Sequence, residues 1–347
     1  MVLRFFMKEK NIILKDRSER NSSFELLRII SMLLIIAHHY SVHGGFNFYT
    51  LPFSLKLYFV QCMQMGGKLG VNLFVLISGF FLCKSKFRWQ RIVRLELEVL
   101  FYSVIIGLLF HIFLPERETL FGLLREFRPV FYRSYWFYTA YFEMFLISPF
   151  INRFIEKISK EMFRHLIIVI TLLWVLIPLM PKSDFLWFVL LYLWAAYIRN
   201  FPEDFRHKAS SCVLTGLVSF FFIFVYVFVC DKFGFREHFA DFLPQDSILI
   251  FVSSIMIFIG FSKWNTGCCR FVNVIASATF GVYLIHDNYL VRQFLWIDFF
   301  KNASFINSRK ILFHAVFAVI SVYIVCTLID LFRHYVLEKP LFRKIRF

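Results

Sequence analysis

Ionisable side chains inside long apolar stretches are the residues of this chain that could do chemistry, because each is expensive to keep there. The densest set lies in FELLRIISMLLIIAHHYSVHGG, residues 24–45. Glu25 and Arg28 are three residues apart, and Arg28 and His39 eleven. Eleven residues make about three helical turns, so Arg28 and His39 share one helix face roughly 16 Å apart, with Glu25 on the same face. His38 points well away from it. A guanidinium can hold an anion, and an imidazole can take a proton at neutral pH. The competing reading is structural: Arg28 extends to lipid headgroups, and His39 bonds a neighbouring helix. Spacing alone does not choose between them.

Further ionisable groups follow. Arg88, Arg91 and Arg94 in FRWQRIVRL (87–95) are three apart and share nearly one face if a helix starts there. Guanidinium groups bind phosphates bidentately, so the set suits a phosphorylated ligand; basic residues that merely fix membrane orientation would look the same. Glu143 sits in the middle of one apolar stretch, His286 with Asp287 in another, and His111 near the end of a third. A buried carboxylate needs neutralising, and Arg28 or Arg292 could do that for Glu143. His111 and His38 read as structural. Seven cysteines show neither a disulfide framework nor metal-ligand spacing, so no metal is expected. No Ser, His and carboxylate fall together as a hydrolytic triad would require.

The elements that must hold these groups are transmembrane helices. Of the 347 residues 59% are apolar and 21% aromatic, well above the composition of a soluble domain. A spanning helix needs about 20 mostly apolar residues. Ten segments qualify, near 24–43, 68–83, 93–114, 135–152, 163–180, 185–199, 211–230, 246–262, 272–297 and 311–332. The expected fold is therefore all-α: a polytopic integral membrane protein with about ten transmembrane helices in one bundle. Basic residues cluster at 84–94, 153–164, 199–208, 263–270 and 333–346, and with the N-terminal segment about 26 of the 39 fall on the side that the positive-inside rule places in the cytoplasm, together with both termini. The net charge of +16 is thereby a topology signal rather than a nucleic-acid footprint. The Phe-rich run at 219–230 reads as lipid-facing helix. The charged start carries no cleavable signal. The expected organisation is a cytoplasmic segment 1–23, a membrane domain 24–335 and a short basic tail 336–347.

An acidic residue, an arginine three on, and a histidine eleven beyond that in a first spanning helix resemble the acyltransferase-3 family of membrane-bound bacterial O-acyltransferases. Further strings are similar to that family in order: GKLGVNLFVLISGFFL at 67–82 with its Ser78-Gly79-Phe80 turn, FRWQRIVRL at 87–95, SYWFYTAYFEMFLISPFI at 134–151, ATFGVYLIHDNYL at 278–290 and VLEKPLFRK at 336–344. Two departures are visible. Glu25 stands where the family usually has Asp, and none of these residues reads as the esterase-like domain that is commonly appended. The resemblance implies an O-acyltransferase of the bacterial plasma membrane. It would move an acyl group, with acetyl foremost, from cytoplasmic acyl-CoA to a hydroxyl of a cell-surface polysaccharide or its lipid-linked precursor. Catalysis would rest on His39 as general base, with Arg28 and Glu25. Arg88, Arg91 and Arg94 would hold the phosphates of acetyl-CoA or another acyl-CoA, and Glu143 and His286 would line the substrate site. Membrane lipid, acyl-CoA and carbohydrate are the expected partners, and nucleic acid is not. A transporter or flippase for a carbohydrate or acyl compound is the rival, since many helices with buried charges also describe a carrier; a purely structural membrane protein would not need Arg28 and His39 in register.

Overall fold

A computed structural model describes residues 21–177 and 179–340, and among them there are helices and no strands. The N-terminal segment up to residue 20 and the end of the basic tail lie outside the described residues. The first helix, α1 (Ser22–Val42), starts where the Asn21 side chain accepts from the Ser23 amide. It is followed by α2 (Leu55–Leu82), α3 (Trp89–Phe113), the short α4 (Leu120–Glu126) and α5 (Trp136–Lys157). Next come α6 (Lys160–Thr171), which runs on as a π-helical turn at Leu172–Leu176, then α7 (Asp184–Asn200), α8 (Ala209–Phe233) and α9 (Ile248–Lys263). The last are α10 (Arg270–Ser277), α11 (Thr279–His286), α12 (Tyr289–Gln293) with a π-helical turn at Phe294–Phe299, and α13 (Ile311–Phe332), extended by another at Arg333–Glu338. Helix is thus present in each of the ten apolar stretches.

Four of these helical stretches are long and apolar enough to cross a membrane: α1, α2, α8, and α13 with its extension. The bundle has two distinct ends, visible in the loops that touch. At the arginine-rich end Asn21 bonds the Trp264 carbonyl, Lys160 pairs with Glu203 and Asp204, and Arg94 pairs with Glu338. At the far end Ala303 bonds Gly44, Lys56 reaches Asn307, and Arg117 pairs with Asp298. Between them α2 is the central helix, touching α1, α5, α7, α8 and α9. α8 lies at the edge and turns Phe221 and Phe222 outward, in keeping with the lipid-facing reading of its phenylalanines.

Two expectations about the elements are corrected. The second stretch begins at Leu55 rather than at 68. Its first half holds Gln61, Gln64 and paired glycines, which interrupt an apolar run, but in the bundle these polar groups face inward, where Gln61 donates to Asp231. The ninth stretch, expected as one helix, is broken twice, at Ala278 and at Asp287-Asn288. Asn288 takes an extended ψ of 134°, and its side chain caps the Leu290 amide, a local bond that competes with helix continuation. The Leu284 carbonyl accepts instead from the Tyr135 hydroxyl at 3.0 Å, and that hydroxyl accepts from Asn288 at 2.8 Å. The break is therefore satisfied internally, as a water-poor interior requires.

The packing of α1 on α2 sets the register of everything else. A Cβ on Gly67 would fall 2.3 Å from His38 Cγ, and one on Gly70 would fall 2.6 Å from the Ser31 carbonyl oxygen. Small residues at these turns let the two backbones approach as tightly as helix pairs in lipid do. Gly70→Ala must push α1 away from α2 and is expected to destabilise the fold by about 1–3 kcal/mol, read as a lower unfolding temperature of the purified protein in detergent.

Candidate active site

Glu25, Arg28, Met32, Ile35, His39 and Val42 recur at intervals of three and four along α1, and all line one cavity of about 590 Å³. Its other walls come from α2 (Lys68, Val71, Phe74, Ser78), α3 (Leu95, Glu98), α5 (Trp136, Phe137, Tyr141) and the broken segment (Thr279, Phe280, Tyr283, Asp287, Arg292). The Glu25–Arg28–His39 face read from spacing is thus a cavity wall. Arg28 sits toward the arginine-rich end and bonds Glu25 at 2.7 Å. Glu98, opposite, is held by Arg333 at 2.7 Å.

At the other end of the cavity His39 is 8% exposed. Its Nδ1 lies 3.0 Å from His286 Nε2, and His286 Nδ1 lies 2.6 Å from the Val282 carbonyl. A carbonyl only accepts, so His286 Nδ1 carries a proton and donates. The His286 Nε2 lone pair then accepts from His39 Nδ1–H, and this leaves His39 Nε2 bare. That nitrogen is 3.6 Å from Asp287 Oδ1, whose carboxylate also meets Arg292 at 3.3 Å. A proton arriving on Nε2 would create an imidazolium beside that carboxylate. The pair is positioned by the break: α11 ends at His286, and the turn that follows presents Asp287.

His286 stands behind His39 rather than on the cavity wall, so its contact is with the histidine and not with the open space. His38 differs from its expected place. Although its face is turned from that of Arg28, its ring borders the same cavity, with Nδ1 on the Gln64 carbonyl at 2.7 Å. His43 is 5.1 Å from His39 between ring centroids. His111 bonds the Glu118 carbonyl, away from the cavity.

Glu143 is also away from it. It lies on the outer side of α5 with its side chain 37% exposed, 3.4 Å from Arg133. The expected partners Arg28 and Arg292 are taken by Glu25 and Asp287, and Glu143, half in the open, has no need of a buried cation. It lines no part of the substrate cavity.

The arginines divide. Arg88 and Arg91 line a second cavity of about 730 Å³ at the arginine-rich end, together with Lys84, Lys86 and Arg153. Arg94 lies beside them on the adjoining surface and pairs with Glu338 of the Glu-Lys-Pro motif at 3.5 Å. Arg88 precedes the helix as the residue before Trp89, so the three do not form one helical face. The two cavities are linked by a ladder of rings on α5: Phe137 and Tyr141 face the first, Phe145 the second, stacked at 6.1 and 6.3 Å.

His39, His43 and Asp287 could each offer one metal-ligand atom, all within 4.8 Å. Arg292 already occupies the carboxylate, and a cation there would meet its guanidinium at close range. The group reads better as an acid–base set. Asp287, Lys68, Glu98 and His43 are among the lining residues to which spacing gave no role. The signal that was available is the Asp287-Asn288 pair, a helix-breaking dipeptide directly after His286.

Comparison with known families bears on the same residues. The family model described as "Acyltransferase domain" matches residues 21–331, a stretch that contains every residue lining the two cavities. No curated protein and no solved structure matches the chain. With nearly its full length accounted for by that model, the chain belongs to the acyltransferase-3 family and is an acyltransferase.

Proposed function

We propose that the protein is a multi-pass plasma-membrane O-acetyltransferase of bacterial type that takes an acetyl group from acetyl-CoA, or an acyl group from another acyl-CoA, on its arginine-rich, cytoplasmic side. It transfers the group to a hydroxyl of a cell-surface polysaccharide or its lipid-linked precursor, and ten spans place both termini in the cytoplasm. The observation that carries the reading is His39, its Nδ1 on His286 and its Nε2 beside Asp287, in a cavity whose opposite end holds Arg28.

The steps follow from that geometry. The phosphates of the donor rest on Arg88 and Arg91, with Lys84, Lys86 and Arg153 around them, and the pantetheine arm runs along Phe145 and Tyr141 past Arg28. An acceptor hydroxyl entering from the far end meets His39. Its oxygen attacks the thioester carbonyl carbon as His39 Nε2 takes its proton, and Asp287 balances the imidazolium. The tetrahedral intermediate collapses with cleavage of the C–S bond, and His39 returns the proton to the leaving sulfur, giving the ester and the free thiol. His286 keeps His39 in the tautomer that can do this. The broken ninth segment is a feature carriers share, but a carrier gives no reason for a histidine whose tautomer is fixed this way.

Reporter fusions are expected to place both termini in the cytoplasm; an external C-terminus would contradict the topology. Replacing Arg88 and Arg91 together by Gln is expected to raise the KM for acetyl-CoA about tenfold or more, since hydrogen bonds to charged groups are lost. Arg94→Gln alone should do less, its guanidinium being engaged with Glu338. The general base contributes about 10²–10⁴-fold to rate, so His39→Gln should bind donor normally and lose most transfer, while His38→Gln loses far less. Near wild-type transfer by both would reduce His39 to a packing residue.

A further inference from the structure

Two cations in the cavity are left unused by the steps above, Arg292, which pairs with Asp287, and Lys68. Lys68 follows Gly67, against which His38 packs, so it stands at the His39 end of the cavity and not at the Arg28 end. Its ammonium lies 4.0 Å from the centre of the Trp136 ring. Among the described residues no carboxylate comes within ion-pairing distance of it. Three carboxylates share its electrostatic neighbourhood, Asp184, Asp246 and Asp287, but each is committed elsewhere. Asp184 accepts from Gln245 at 2.6 Å, Asp246 from the Trp174 indole at 3.2 Å, and Asp287 from Arg292 at 3.3 Å.

A largely buried ammonium is costly to hold without a counter-charge. The indole face steadies it without neutralising it, and leaves its donors available to the cavity. An anion in direct contact is the ligand such a group lacks. The donor's phosphates are provided for at the second cavity, which α2 reaches only at Leu82, roughly 21 Å of helix from Lys68, so the anion must come with the other substrate.

We propose that Lys68 is a specificity residue that binds a negatively charged substituent of the acceptor, a carboxylate or a phosphate, so that the substrate class is an acidic glycan rather than a neutral one. This rests on the acyltransferase reading of the cavity and adds the charge of its acceptor. The role is one of recognition: Lys68 holds the acceptor while His39 acts on its hydroxyl.

The test uses the full-length protein in nanodiscs with acetyl-CoA and three small acceptors: methyl glucuronide, methyl glucoside 6-phosphate and methyl glucoside. Wild type is expected to favour one or both charged glycosides over the neutral one by about 10- to 100-fold in kcat/KM, the range a hydrogen-bonded charge contributes. Which one is favoured tells whether carboxylate or phosphate is the natural group. Lys68→Met should abolish the preference by raising the KM for the charged acceptor, and Lys68→Arg should restore it. Equal use of the neutral glycoside by wild type, or a preference that survives in Lys68→Met, overturns the proposal. So does a uniform fall in kcat on all three with KM unchanged, since that is the mark of oxyanion stabilisation. Where wild type takes none of the small glycosides, the position of the ester in surface glycans of expressing cells decides: on an acidic or phosphorylated repeat it supports the proposal, on a neutral polymer it overturns it. A charge preference that vanishes in Lys68→Met stands as support even if His39→Gln still transfers, in which case it is the assignment of the base that falls.

Discussion

The hydrogen bond between His39 Nδ1 and His286 Nε2 is the contact on which the site depends. It joins the first long helix to a segment 247 residues away, and it decides which nitrogen of His39 faces the cavity. Everything around it serves to make that 3.0 Å contact possible. Glycines of α2 let α1 settle deep enough for His39 to be buried, and the break after His286 ends α11 where its imidazole can reach across. The Val282 carbonyl, by accepting from the far side of His286, fixes the direction in which protons are held along the chain.

A second constraint is that a helix cannot be broken in a water-poor interior unless its freed backbone groups find partners. Here the partners are side chains from another helix. Tyr135, at the start of α5, accepts from Asn288 and donates to the Leu284 carbonyl. The same helix supplies Trp136, Phe137 and Tyr141 to the cavity wall. Function and stability are thus coupled through α5: the element that seals the break also shapes the path between the two cavities. At the arginine-rich end Arg333 plays a comparable part, gathering Asp330, Glu98 and Glu338 and so fixing Glu98 in the cavity wall.

Much of this was legible from residues. Intervals of three and eleven put Glu25, Arg28 and His39 on one face, and each of the ten stretches chosen by apolar length contains helix, although α4 and the start of α2 fall outside them. What was hidden has a common physical cause: hydropathy reports the cost of a residue in lipid and says nothing about partners inside the bundle. Gln61 and Gln64 fell outside the apolar run that starts at 68, because hydropathy does not register that Gln61 meets Asp231 inside the bundle. Glu143 looked buried because it sits mid-stretch, whereas it faces outward beside Arg133. Arg94 looked equivalent to Arg88 and Arg91 because only the fold brings Glu338 to it. Lys68 passed for one more basic residue, since the ring that steadies it lies on α5.

The most direct test of the account is the tautomer of His39 in the resting protein. Nitrogen-15 NMR of histidine-labelled protein in nanodiscs, with the His39 signals assigned by comparison with His39→Gln, distinguishes a protonated ring nitrogen from a bare one. The account predicts a proton on Nδ1 and a lone pair on Nε2. A proton on Nε2 with Nδ1 bare would mean that His286 donates to His39 and that the nitrogen facing the cavity cannot act as the base.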